Sequence, residues 1–161
     1  MSQIHAEASD IIDAPSEAIY AVLSDYRVGH PAILPKPYFT DLIVEQGGQG
    51  AGTLIEVRMN VMGARQVYRE TVSEPEPGRV LVEADRAAGV TTTFTIEPLN
   101  GGARSRVTIA TDVRASPGFK GMLEKLFNPP VTRRIFRQEL RQLADYVRQL
   151  AREPDSRSSS S

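Results

Sequence analysis

Two predicted β-strands place acidic side chains on the same face as large apolar ones. Side chains alternate between the two faces of a strand, so Glu70 lies on the same face as Tyr68. In the next strand, Glu83 and Asp85 lie on the same face as Leu81. If the apolar residues point into the core, these carboxyl groups line the interior, where each needs a partner or a raised pKa. An interior acid beside a tyrosine could act as a proton-transfer pair.

The simpler interpretation of the same acids, and the one we favour from the sequence, is that they face solvent. They would then pair with Arg58, Arg69 or Arg86. The register of the two strands decides between these interpretations, and the sequence leaves that register open. If the acids point inward, the candidate catalytic residues are Tyr68, Glu70, Glu83 and His30.

The two histidines do not form a metal-binding pattern. His5 and His30 are far apart, and neither has a second histidine or an acid at the ligand spacing of a helical metal site. His30 precedes Pro31 in a predicted loop, where it could form a hydrogen bond at a pocket rim, act as an acid or base, or simply be solvated. We therefore expect neither a metal nor another cofactor.

Two further features have both a structural and a chemical interpretation. The glycine-rich segment 47–52 has the composition of a phosphate-binding loop, but a β-branched strand follows it instead of a helix, which favours a hairpin turn. Glu139 falls within the apolar stripe of the C-terminal helix. For this residue we favour an ion pair with an arginine of the sheet over contact with a ligand.

The composition restricts the class of protein. The chain has 161 residues, a formal net charge of −1 and no cysteine. Disulfides and thiolate metal sites are thereby excluded, and nucleic-acid binding through phosphate neutralisation is not expected. The sequence has no apolar run of about 18 residues, and residues 1–10 lack the basic and apolar regions of a signal peptide. We expect a cytoplasmic protein without stable membrane insertion.

The spacing of turn signals predicts an antiparallel meander. Between residues 46 and 102, clusters of turn-forming residues recur at nearly even spacing. The segments between them are rich in Val, Ile, Thr, Tyr and Phe, which favours strands. Thr53 to Val61 shows the alternation of a strand with one buried face. With strands near 3–12, 38–46 and 106–113, the predicted number of strands is seven.

Short helical patterns follow the first predicted strand. Asp13 is the predicted N-cap of the first helix, and Pro15 suits its first turn. This helix should end between residues 25 and 29. A second short turn is expected before Pro31, and the proline-rich run 30–37 is predicted to be a loop.

The C-terminal region supplies the predicted cover of the sheet. A helical segment that opens at Ser116 is interrupted at residues 128–130, where Asn-Pro-Pro predicts a kink or break. From Val131 onward, apolar residues occupy one side of the helix and arginines the other. A sheet with one apolar face needs such a cover. The predicted fold class is α+β, with a seven-stranded curved antiparallel sheet around a long C-terminal helix and two short helices after the first strand.

Four short segments of the sequence carry a family resemblance. They are IDAPSEAIYAVLSD (12–25), GAGT (50–53), EPEPGRVL (74–81) and TTFTIEP (92–98). These segments resemble the START-like, or SRPBCC, superfamily, and specifically its polyketide cyclase/dehydrase-like branch. The resemblance covers about residues 3–150 and implies the helix-grip fold with a hydrophobic cavity. Members of the superfamily include lipid carriers, hormone receptors, ubiquinone-binding proteins, cyclases and partners of other proteins, so the fold does not choose the function.

The implied cavity lies beneath the helix break at 128–130, with the loop from His30 to Phe39 at its mouth. Core packing alone would also use the large apolar residues of this region. The predicted ligand contacts are Ile33, Leu34, Tyr38, Phe39, Val57, Met59, Tyr68, Phe94, Met122, Leu126 and Phe127. The preferred function is binding, transport or sequestration of a small hydrophobic ligand such as a lipid, an isoprenoid or a polyketide-like aromatic.

Two alternative functions remain open from the sequence. One is a cofactor-free cyclase, dehydratase or hydrolase, which requires at least two titratable groups within reach of one cavity. The other is a protein-interaction module that uses the basic helix face at Arg133, Arg137 and Arg141. We expect residues 1–152 to form one domain that is a monomer or a weak homodimer, and residues 153–161 to form a disordered Ser-rich tail.

Overall fold

A computed structural model describes residues 3–114 and 128–153 of the chain. Within these residues it contains seven β-strands, three α-helices and one short 3-10 turn. In chain order they are β1 (Gln3–Ile12), α1 (Ser16–Ser24), α2 (Gly29–Ile33), β2 (Phe39–Gln46), β3 (Leu54–Val61), β4 (Ala64–Glu76), β5 (Val80–Asp85), β6 (Val90–Leu99), the 3-10 turn (Asn100–Gly102), β7 (Arg104–Arg114) and α3 (Pro129–Arg152).

The strands form one antiparallel sheet in the order β1-β7-β6-β5-β4-β3-β2. Strands β2 to β7 follow one another as a meander. Strand β1 lies at the edge of the sheet and pairs with β7 along its whole length, from Gln3 opposite Arg114 to Ile12 opposite Ser105. The predicted strand number and the predicted meander are confirmed. Because β5 lies between β4 and β6, near the middle of the sheet, its inward side chains are covered on all sides.

The core lies between the inner face of the sheet and α3. Alternation along the strands brings Ile55, Phe94 and Ile109 to this face with almost no exposed surface. From α3, Leu140 and Leu143 complete the same cluster. The predicted cover of the sheet by the amphipathic C-terminal helix is therefore confirmed, and together these elements form a helix-grip fold.

The Asn-Pro-Pro segment is the start of α3. The side chain of Asn128 accepts a hydrogen bond from the backbone N–H of Val131 at 3.4 Å, and Pro129 and Pro130 occupy the first helical positions. Prolines fit there because the first N–H groups of a helix have no partner within it. The predicted helical segment before it, with Met122, Leu126 and Phe127, lies outside the described residues. No helix in the described part of the chain is long and apolar enough to cross a membrane.

Two predictions for the region after β1 are wrong. Asp13 does not cap α1, whose N-cap is Pro15, because its carboxylate instead accepts a hydrogen bond from Arg104 Nε. The start of the run 30–37 is helical and not a loop, since α2 includes His30 and Pro31. Pro31 is tolerated because it lies in the first turn, where the missing N–H costs no helical hydrogen bond.

The packing of α3 generates a test of the fold. Leu143 is fully buried, whereas Leu150 on the same helix is 39% exposed. Leu143→Ala should lower the free energy of unfolding by about 2–5 kcal/mol, because it removes buried apolar contacts and leaves a cavity. Leu150→Ala should lower it by less than about 1 kcal/mol. Urea denaturation of both variants checks this, and equal losses would contradict the observed orientation of α3.

Candidate functional site

A cavity lies between the inner face of the sheet, α2 and the first turns of α3. Its volume is about 810 Å³, counted out to the solvent at its mouth. Much of the wall is apolar: Leu34, Phe39, Leu42, Val57, Met59, Val61, Val90, Phe94, Val131, Ile135 and Phe136. The polar lining residues are His30, Gln66, Tyr68, Glu70, Glu83, Thr92, Thr111, Asn128, Thr132 and Glu139.

The structure places the predicted ligand contacts in three groups. Ile33 packs fully buried in the core, because it faces inward from α2, and the half-buried Tyr38 is not among the described lining residues. Met122, Leu126 and Phe127 lie outside the described residues. The predicted contacts that line the cavity are Leu34, Phe39, Val57, Met59, Tyr68 and Phe94. That these side chains contact a ligand stays a prediction.

The favoured interpretation of the strand acids as solvent-facing is wrong. Glu70 and Glu83 are each 6% exposed and line the cavity. The physical reason is the pleat, because Val72 and Leu81 share their face and are buried in the core. The arginines expected to pair with these acids lie on the outer side, where Arg58 pairs with Glu56 and Arg69 pairs with Glu45.

Asp85 is buried as well, but its role is different. Its carboxylate accepts hydrogen bonds from the backbone N–H groups of Arg69 at 3.0 Å and Ala88 at 2.9 Å. These bonds tie the end of β5 to β4 and to the following turn. Asp85 is not among the described lining residues of the cavity, so its acceptor capacity serves the backbone.

Glu83 is the residue on which the polar part of the wall converges. Its Oε1 accepts a hydrogen bond from the hydroxyl of Tyr26 at 2.8 Å and lies 3.3 Å from His30 Nε2. On the neighbouring strand, the carboxyl group of Glu70 is hydrogen-bonded with that of Glu83. The negative charge of Glu83 and this hydrogen bond both favour the protonated form of Glu70 and raise its pKa.

His30 is held in one orientation by its surroundings. Its Nδ1 lies 2.8 Å from the carbonyl oxygen of Leu23. A carbonyl can only accept, so Nδ1 carries a proton and Nε2 faces Glu83. The ring stacks on Tyr26, with centroids 4.6 Å apart, and packs edge-on against Phe94 at 5.4 Å. The imidazole and the Glu83 carboxyl therefore form a preset acid–base pair beside the cavity.

The glycine-rich loop 47–52 helps to position Tyr26. It is a turn that precedes β3, as favoured from the sequence, and no helix follows it. The carbonyl of Gly48 accepts a hydrogen bond from the Tyr26 N–H at 2.9 Å, and the Gly50 N–H donates to the carbonyl of Ser24 at 2.9 Å. Gly48 has a φ of +130°, which glycine adopts readily. The loop thus anchors the segment that carries both Tyr26 and His30.

Tyr26 is a site residue that the sequence interpretation missed. Its helical spacing from Ile19, Val22 and Leu23 in the sequence is typical of an apolar core residue, and the structure buries it fully. Burial and the charge of Glu83 raise its pKa, so the hydroxyl stays a hydrogen-bond donor. The only available sequence signal was its hydroxyl, which needs a partner when buried.

Glu70 and Glu139 are both protonated more readily than ordinary glutamates. Burial, followed by the charge of Glu83 and the hydrogen bond with it, raises the pKa of Glu70 well above its usual range. Burial, followed by the charge of Glu83, raises the pKa of Glu139 in the same direction. We refer to Glu70, Glu83 and Glu139 as the acid cluster.

The prediction that Glu139 forms an ion pair with an arginine of the sheet is wrong. Glu139 is 2% exposed, and no arginine or lysine within residues 3–114 and 128–153 pairs with it. The basic residues of α3 lie on its other side, and the paired arginines of the sheet belong to its outer face. Neutralisation by a proton is the remaining way to bury this carboxyl group.

Tyr68 completes the polar wall on β4. Its hydroxyl donates a hydrogen bond to Gln66 Oε1 at 2.6 Å, and burial raises its pKa to about 12.

The predicted catalytic candidates all line this cavity, namely His30, Tyr68, Glu70 and Glu83. The wall thus places the contact between His30 and Glu83 next to two carboxyl groups with raised pKa values, those of Glu70 and Glu139. Within the described residues, no group of three or more His, Asp and Glu side chains has the arrangement of a metal site.

Fold and cavity define the class of the molecule as a START-like helix-grip protein. The chain belongs to the family described as polyketide cyclase/dehydrase and lipid transport, whose profile matches residues 3–148. No curated protein matches the chain. Membership in this family supports hydrophobic ligand binding or cyclase activity as general classes.

Solved structures agree with this assignment. The solution structure of KanY protein has 30% sequence identity and a TM-score of 0.78, covering 92% of this chain and 99% of that chain. The Zhui aromatase/cyclase from Streptomyces sp. R1128 has 18% identity and a TM-score of 0.60, with 94% and 95% covered. A START superfamily protein from Mycobacterium smegmatis has 14% identity and a TM-score of 0.62, with 91% and 98% covered. The last two show the shared fold alone.

The burial of Glu139 generates a prediction about pH. Because its folded-state pKa lies above that in the unfolded chain, the folded state binds more protons, and stability falls as pH rises. Glu139→Gln should therefore stabilise the protein by at least about 1 kcal/mol more at about pH 8 than at about pH 5. Urea denaturation at both pH values measures this. The exposed Glu76→Gln variant is the control, and an equal effect of Glu139→Gln at both pH values would contradict the account.

Proposed function

We propose that the protein binds a small, mostly apolar molecule in this cavity and orients it through one polar group at the acid cluster. The observation that carries the proposal is a cavity that has mostly apolar walls and one buried polar patch. The family assignment supports a hydrophobic ligand as the general class. A lipid, an isoprenoid and a polyketide-like aromatic all fit this description.

The two kinds of wall have different roles in the proposed binding. Residues such as Leu42, Met59 and Phe94 supply apolar surface, which contributes about 25 cal/mol for each Å² removed from water. This term favours any apolar ligand and does not orient it. Orientation requires a few fixed polar groups, and Glu83 is fixed by Tyr26 and His30. The ligand's polar group is therefore expected to lie at the acid cluster.

We further propose that residues 1–152 act as one domain, as a monomer or weak homodimer in the cytoplasm. The composition supports this, since a chain without cysteine suits a reducing compartment. Arg137, Arg141 and Arg148 of α3 are exposed. The apolar cavity nevertheless favours a small-molecule ligand over a protein partner at that basic face.

Binding in the cavity is tested with a neutral fluorescent probe, N-phenyl-1-naphthylamine. Met59 lines the cavity, whereas Val67 on β4 is 57% exposed on the outer face. Met59→Trp should weaken probe binding at least about tenfold, because the larger side chain fills the space the probe needs. Val67→Trp is the matched control and should leave binding unchanged. Saturable binding that Met59→Trp does not weaken would contradict the proposal.

A second candidate function is cofactor-free acid–base catalysis on the bound molecule, as in a cyclase or dehydratase. One observation favours it, namely the contact of 3.3 Å between His30 Nε2 and Glu83 Oε1 beside Glu70, whose pKa is raised by burial. A base next to a neutral acid could remove a proton α to a carbonyl while the acid donates a hydrogen bond to the carbonyl oxygen.

This second function is tested by the proton-transfer step alone. With 4-phenylbutan-2-one in D₂O, the protein should catalyse exchange of the protons next to the carbonyl, followed by NMR. Glu83→Gln should lower the exchange rate by about 10²–10⁴-fold, because it removes the partner of His30. Glu76→Gln, at the exposed end of β4, should retain the exchange rate. Exchange no faster than in buffer would reject catalysis and leave the binding proposal standing.

A further inference from the structure

The acid cluster lacks a compensating cation within the described structure. Glu70, Glu83 and Glu139 are 6%, 6% and 2% exposed, and all three line the cavity. Within residues 3–114 and 128–153, the lining includes no lysine or arginine, and His30 is its single basic group. Three carboxyl groups therefore share one imidazole in a site with little access to water.

Several hydrogen-bond donors in and behind this wall already have acceptors. Nδ1 of His30 donates to Leu23, the Tyr26 hydroxyl to Glu83, and the Tyr68 hydroxyl to Gln66. The hydroxyls of Thr92 and Thr111 bond to each other at 2.8 Å. The carboxyl oxygens of the acid cluster are the acceptors that a ligand in the cavity can reach.

Glu70 is the clearest instance of unused acceptor capacity. Apart from the Glu83 carboxyl group, its buried Oε2 has no hydrogen-bond partner in the described part of the chain. A buried carboxyl oxygen without a donor loses its hydration without replacement, which is unfavourable. A ligand group that donates to it would remove this cost.

From this acceptor-rich, cation-poor wall we infer that the ligand carries a protonated amine, and that the ammonium group binds between Glu70, Glu83 and Glu139. The inference rests on the proposed function, since it specifies the polar group of the cavity's ligand. The chemical class is thus a primary or secondary amine attached to an apolar body.

An ammonium group fits this wall better than the other polar groups of small ligands. A carbonyl oxygen can accept from a neutral carboxyl group but leaves the buried Glu70 Oε2 without a donor, and a hydroxyl donates a single hydrogen bond. A primary ammonium donates up to three and brings the charge that three carboxyl groups lack. A carboxylate or phosphate would add negative charge to the acid cluster and is disfavoured.

The charge balance of binding gives a measurable consequence. When the ammonium enters, the proton held by Glu70 leaves to solvent, so the site exchanges a proton for a cation. The groups that face Glu70 are Glu83 and Asp85 from β5, Glu139 from α3, the hydroxyls of Tyr26 and Tyr68, and His30 through Glu83. Among these, Glu139 shares with Glu70 a pKa that burial raises. A neutral ligand of the same shape displaces no proton.

The experiment compares 4-phenylbutylamine and its homologues of other chain lengths with the alcohols of the same length. Isothermal titration calorimetry near pH 7, in phosphate and in Tris, gives the affinity and the number of protons released. Each amine should bind at least about 30-fold more tightly than its alcohol and release close to one proton, because truncating a buried charge pair costs at least about 2 kcal/mol. The alcohols should release none.

Variants make the test specific to the acid cluster. Glu70→Gln keeps the size of the side chain and should bring amine affinity down to that of the alcohol, with no proton release, while the alcohol still binds. Glu76→Gln on the same strand is exposed and should behave like the unchanged protein. Thermal unfolding of each variant verifies that it is folded.

The outcomes separate the two claims. Alcohol binding with no preference for the amine, or an amine preference that Glu70→Gln retains, would overturn the amine inference and leave cavity binding intact. Binding of neither series would overturn both. If Glu70→Gln does not fold, proton release by the unchanged protein decides, because release on amine binding and not on alcohol binding requires an ionising acid in the site.

Discussion

Burial of the Glu83 carboxyl group under α3 is the constraint on which the site depends. Glu83 shares its face with Leu81 on β5, and the pleat gives both the same inward direction. A carboxyl group in this position requires partners. The chain provides them from outside the sheet, with Tyr26 and His30 held by α1, α2 and the glycine-rich loop. Segments between β1 and β3 therefore position the two partners of the Glu83 side chain.

The acid cluster is unfavourable for stability, as is common for residues of a binding or reactive site. Glu70 and Glu139 are forced into the interior by strand and helix periodicity, and apolar residues there would pack without the cost of desolvating an acid. Proteins tolerate such local costs mainly at sites that bind or react. In the proposed function, the apolar walls would bind many molecules, and the acids would restrict which of them bind. The proposed binding and the proposed proton transfer would use the same residues, and they differ in whether the ligand carries a reactive carbon.

The sequence predicts the elements of this fold better than the directions of individual side chains. Strand alternation and the stripe on α3 are local patterns, so the seven strands and the covering helix could be predicted. On β4 and β5, alternation groups Tyr68 with Glu70 and Leu81 with Glu83 but does not say which group is inside. That is decided by packing against β6 and α3. Tyr26 was missed because its partner is 57 residues away in sequence. Asp13 was misassigned because its competing partner, Arg104, is 91 residues away in sequence.

The most direct test of the account is the protonation of the buried glutamates, followed by NMR titration of protein labelled with ¹³C at the glutamate side-chain carboxyl carbons. The account predicts two signals that titrate well above the ordinary glutamate pKa of about 4.3, because burial raises the pKa of both carboxyl groups. One should disappear in Glu70→Gln and the other in Glu139→Gln. If every glutamate instead ionises near the ordinary value, the acid cluster is not buried as described, and the account of the site is wrong.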